Sequence, residues 1–105
     1  MLIAFIVCLL FALGALGLDW LQTLWIARNP DKTWEINVIL GKHPSVARVC
    51  WYFAVCIVLL VAAAVALYLG GWPRVAIGLC ALVAIFEAVV VGRNFRLGIP
   101  FWSAS

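Results

Sequence analysis

Few residues in this sequence have side chains that could do chemistry. Four are acidic among 105, and two of those, Asp19 and Glu87, lie inside apolar runs. In LGLDWLQTLWIAR, residues 16–28, Gln22 and Thr23 follow Asp19 at three- and four-residue spacing. In a helix all three share one face. Glu87 precedes Asn94 by two helical turns, again on one face. Carboxyl and amide groups placed together this way either satisfy one another or bind a proton, a cation or a lipid headgroup. A carboxylate in hydrocarbon costs roughly 2.5–3.5 kcal/mol even on lenient scales. Pairing with Arg48, which opens the second apolar run, or with Arg93, or protonation, lowers that cost.

The elements that position these groups follow from composition. Hydrophobic residues make up 69% of the chain and charged residues 10%, against about a quarter charged in a soluble domain. Charge this scarce cannot cover a globular surface, so the solvent is lipid. Three stretches reach the roughly 20 residues that cross a bilayer: about 2–26, 46–69 and 75–92. Their apolar runs are continuous, not alternating, and backbone in lipid must satisfy itself, so the spans are helices. No Lys or Arg precedes the first run, which reads as a span and not as a signal peptide. The expected fold is all-α: one domain of three transmembrane helices, with an interfacial or re-entrant loop, about 28–45, between the first two. Ser45 is a suitable N-cap for the second span. Gly70-Gly71-Trp72-Pro73 reads as a tight turn, and Gly98 and Pro100 mark the end of the third helix.

Orientation follows from the cations. Arg28, Lys32, Lys42, Arg48, Arg93 and Arg96 fall on one side and Arg74 on the other. This bias places the N-terminus outside, with the first loop and the C-terminus cytoplasmic, in a bacterial inner membrane. Trp20, Trp25, Trp51, Tyr52 and Trp102 then form a cytoplasmic aromatic belt, with Tyr68 and Trp72 at the outer face. Small residues recur at four-residue spacing in each span: Ala4, Cys8, Ala12 and then Ala15, Asp19, Thr23, Ala27; Cys50, Ala54, Ala62, Ala66, Gly70, interrupted by Val58; and Ala76, Cys80, Ala84, Ala88, Gly92 without a break. Such ladders let helices approach closely and point to a tight bundle or a homo-oligomer.

The polar residues of all three spans fall at one depth, near the cytoplasmic boundary. The loop TWEINVILGKHPS adds Glu35 and Asn37 on either side of Ile36, in a segment too apolar to be solvated. Folding back under the bundle would bring them towards Asp19 and Glu87. The expected ligand or polar cluster is therefore Asp19, Gln22, Thr23, Glu35, Asn37, Arg48, Glu87, Arg93 and Asn94. A register-fixing hydrogen-bond network, caps on the returning loop, or a binding site are all open readings.

Asp19-x-x-x-Thr23, Glu35-x-Asn37, a cation opening the second helix and Asn94 closing the third also occur together elsewhere. Over residues 15 to 96 the chain resembles a family of small prokaryotic and phage membrane proteins known only as a domain of unknown function. That family usually has Glu-x-Asn-Pro, where Val38 stands here. The resemblance implies no activity, but it implies that the polar set is one unit.

Other chemistries find little here. Cys8, Cys50, Cys56 and Cys80 lie in apolar runs without zinc spacing and read as small buried hydrophobes. His43 is the one histidine and reads as a solvated loop residue. Carboxylates with an asparagine suit a hard cation, but no Asp-rich loop spacing is present. No Ser or Cys nucleophile has a histidine frame. No catalytic residue, metal or cofactor is implied, and the net charge of +3 reports topology, not nucleic acid. The expected function is a small integral membrane protein whose boundary site binds a polar ligand or docks a larger membrane partner. The alternative is a holin-like phage lysis protein forming oligomeric lesions.

Overall fold

The computed structural model describes residues 1–28 and 45–99. They form three helices, α1 Leu2–Arg28, α2 Val46–Leu69 and α3 Pro73–Arg96, with no strand among the described residues. All three are long and apolar enough to cross a membrane, and the chain is a multi-pass membrane protein. The expected returning loop, with Glu35, Asn37 and His43, lies outside the described residues.

The helix ends have local causes. Ser45 caps α2, its hydroxyl accepting the Arg48 amide at 3.1 Å, which satisfies one of the orphan N–H groups of the first turn. α2 closes with Gly71 at φ 90°. Trp72 N–H donates to Leu67 O at 2.8 Å and Gly71 N–H to Tyr68 O at 3.4 Å, the paired bonds of a Schellman end. α3 repeats this with Gly98 at φ 87°: Ile99 N–H donates to Asn94 O at 2.9 Å and Gly98 N–H to Phe95 O at 3.1 Å. α3 is longer than the expected 75–92. Pro73 opens it instead of ending the turn, because at a first helical position its missing N–H costs nothing. Beyond Gly92 the helix continues through Arg93, Asn94 and Arg96 and closes at Gly98, where the sequence also marks its end.

Phe5 at the start of α1 stacks on Tyr68 at the end of α2, with centroids 4.6 Å apart, so these helices are antiparallel. α3 then runs parallel to α1 and packs most extensively against it. One apolar cluster joins Ala12 and Leu16 to Val49, Phe53 and Leu60. A second joins Phe5 to Ala64, Ala76 and Cys80. A third, beyond the polar groups, joins Trp25 and Ile26 to Ile99.

The small-residue ladders lie only partly inside the bundle. Ala76 and Cys80 are fully buried, but Ala88 and Gly92 face outward. An α-helix turns about 100° per residue, so each four-residue step drifts about 40°, and the ladder winds out of the interface. On α2, Ala54, Ala62 and Ala66 all face outward. That helix packs through Val49, Phe53, Leu60 and Ala64 instead. The aromatic belt is also partly overturned. Trp51 and Trp72 are exposed, but Trp25 is buried and Trp20 lies half-buried, stacked on Phe53 with centroids 5.9 Å apart. Trp20 and Trp25 occupy inward faces of α1, where packing outweighs the pull of the headgroups.

Candidate functional site

The polar residues of α1 and α3 meet in two layers at the shared end of these parallel helices. The outer layer is Gln22 and Asn94. Gln22 is fully buried. Its Nε2 donates to Val91 O at 3.1 Å and to Ile99 O at 3.4 Å, and its Oε1 accepts from Asn94 Nδ2 at 3.3 Å. Both amide protons of Gln22 and its carbonyl are thus engaged. The Schellman end of α3 explains why Ile99 O is within reach: the left-handed Gly98 folds the chain back over the last turn. This layer ties α1 to α3 through Gln22, whose polar groups are all engaged.

The inner layer, about one turn deeper, is Asp19 and Glu87, with Thr23 reaching back to Asp19 from the level of Gln22. Asp19 is 9% exposed. The buried Thr23 hydroxyl lies 2.8 Å from Asp19 O and 3.3 Å from Asp19 Oδ1. It is tied to its own helix, as buried threonines often are in apolar surroundings. The half-buried Glu87 reaches from α3 to hydrogen-bond with the Asp19 side chain. Its Oε2 is buried with no hydrogen-bond partner among the described residues.

α2 brings a thiol to the vicinity of this layer. Cys56 stands within electrostatic range of both Asp19 and Glu87, and its thiol is hydrogen-bonded to Tyr52 one turn earlier. Sequence reasoning placed Tyr52 in the aromatic belt and Cys56 among the apolar fillers. Their i, i+4 spacing was the available signal, but nothing in the sequence says which face of α2 meets the carboxyls.

Asp19, Gln22, Thr23, Glu87 and Asn94 are therefore brought together. Arg48 and Arg93 are exposed. No ion pair joins Arg93 to either carboxyl among the described residues. Glu35 and Asn37 lie outside the described residues, and no cluster of metal-ligating side chains occurs within them. Comparison with family models, curated proteins and solved structures gives no match to this chain.

Proposed function

We propose that this is a small integral membrane protein that takes up a proton or a small cation at the Asp19–Glu87 pair. The observation that carries the reading is the buried, unpartnered Glu87 Oε2 beside a second carboxyl group. A hydrogen bond between two carboxyl groups contains a proton, because carboxylates only accept. An acceptor buried without a donor is costly, and a bound positive charge or a proton removes that cost. Tyr52 and Cys56 add polarisable groups on the α2 side, and the hydrogen-bonded Gln22–Asn94 layer holds the helices in place without taking part. The cation bias places this end of the bundle at the cytoplasmic boundary.

Infrared spectroscopy of the protein in lipid nanodiscs tests the reading. The parent should show the carbonyl stretch of a neutral carboxyl group that shifts on transfer to D2O. Glu87→Gln should remove it and Asp19→Asn should move it. If the band is missing, the cation form predicts instead that Na⁺ or K⁺ raises thermal stability in the parent and not in Glu87→Gln. Neither the band nor a cation effect would leave the pair without a ligand and overturn the reading.

A further inference from the structure

Away from the carboxyl pair, the flank where α1 meets α3 carries an apolar groove of about 800 Å³, within the roughly 300–1,000 Å³ range of ligand sites. Val7, Phe11, Gly14 and Leu18 line it from α1, and Ala88 and Gly92 from α3. All six are exposed on the outside of the bundle. The glycines help to make it: a Cβ at Gly14 or Gly92 would meet no atom within 4 Å. In a span this flank faces acyl chains.

The groove is uncharged, but its α3 end is not. Arg96 lies four residues beyond Gly92 and so on an adjoining part of the same face. Arg93 follows Gly92 directly, and both arginines are exposed in the last turn of α3. Arginine stems lie along apolar surface while the guanidinium reaches the interface. An apolar slot ending at two arginines matches a molecule with a long hydrocarbon chain and an anionic head. We propose that this groove binds one acyl chain of an anionic phospholipid, with its phosphate held by Arg93 and Arg96. A second copy of the chain fits less well. A two-fold dimer through this flank would bring the arginines of both copies together, and the exposed Phe11 ring would stand between them. The site is separate from the carboxyl pair and does not depend on its reading.

Native mass spectrometry of the protein in neutral detergent with equal phosphatidylglycerol and phosphatidylcholine tests this. The parent should retain phosphatidylglycerol at least roughly fivefold better, the preference expected from about one well-placed arginine. Arg93→Gln with Arg96→Gln should abolish the preference and leave phosphatidylcholine retention unchanged. Gly14→Leu and Gly92→Leu fill the slot and should lower retention of both lipids. Inorganic phosphate should not displace the phospholipid, since it has no chain. Equal retention of the two lipids by the parent would overturn the proposal. So would unchanged retention in both leucine variants, displacement by phosphate, or a dimer lost in Gly92→Leu. The arginine variants change only exposed positions, so their result stands even if a leucine variant fails to fold.

Discussion

Gln22 of α1 holds the backbone carbonyl of Val91 in α3 at 3.1 Å, and its side chain is fully buried. The bond joins residues 69 positions apart and ties together two helices that no short loop connects. The same side chain accepts from Asn94, so one glutamine links the body of α3 to its capped end.

Replacing Gln22 with Leu keeps the volume and removes three hydrogen bonds. Single interhelical bonds in membranes are worth about 0.6 kcal/mol on average. Leaving the Asn94 amide buried without its acceptor adds about 1–3 kcal/mol. Gln22→Leu should therefore lower stability by about 2 kcal/mol in mixed-micelle unfolding. Gln22→Leu with Asn94→Leu should cost less than the sum of the two single changes, because they break one network. Additive losses would show that the two amides act independently.

Packing makes a graded prediction along one helix. Ala76 is fully buried and Ala88 lies on the flank. Ala76→Leu should cost about 1–3 kcal/mol by overpacking, and Ala88→Leu less than about 0.5 kcal/mol. Ala12→Leu on α1, also fully buried, should behave like Ala76→Leu. Both raise hydrophobicity, so membrane insertion should survive. Thermal stability in detergent checks the order, and equal effects at 76 and 88 would contradict the observed rotation of α3.

The contrast shows what the sequence made legible. Asp19, Gln22, Thr23, Glu87 and Asn94 stood out because polar groups in long apolar runs are too costly to be incidental, and their spacing, three and four residues on α1 and seven on α3, fixed one face of each helix. The small-residue ladders enter the bundle only in part, because a four-residue period drifts around a helix of 3.6 residues per turn. Alanine is also compatible with either lipid or a neighbour. Tyr52 and Cys56 were hidden for a similar reason. Each is amphipathic enough to suit several surroundings, and only the packing of α2 brings Cys56 within electrostatic range of the carboxyls.

Orientation is open to a direct check. With the N-terminus outside, the turn between α2 and α3 is external and the start of α2 is cytoplasmic. On a cysteine-free background, Trp72→Cys should react with an impermeant thiol reagent added to intact cells. Ser45→Cys should react only after permeabilisation. Both native residues are exposed, so access from the correct side is not blocked by packing. The opposite labelling pattern would invert the topology and move the carboxyl pair to the outer boundary.

The last prediction separates a binding role for Asp19 and Glu87 from a structural one by stability alone. Asp19→Asn and Glu87→Gln keep the shape, and either amide can still hydrogen-bond the remaining carboxyl. Each should change stability by less than about 1 kcal/mol. Glu87→Leu removes the unpartnered Oε2 and puts apolar atoms in its half-buried place. Combined with Asp19→Leu, it replaces both carboxyls with apolar atoms. Replacing buried charged groups with packed apolar ones is often neutral or stabilising by about 1–4 kcal/mol, and the double variant should lie at the lower end of that range. A site kept for ligand uptake would thus become more stable as it loses function, the usual exchange at functional sites. Unfolding in mixed micelles gives the stability, and the neutral-carboxyl infrared band gives the uptake. A structural pair predicts the opposite, with Glu87→Leu destabilising because its hydrogen bond to Asp19 is lost. That result would reassign Asp19 and Glu87 to the same holding role as Gln22 and Asn94.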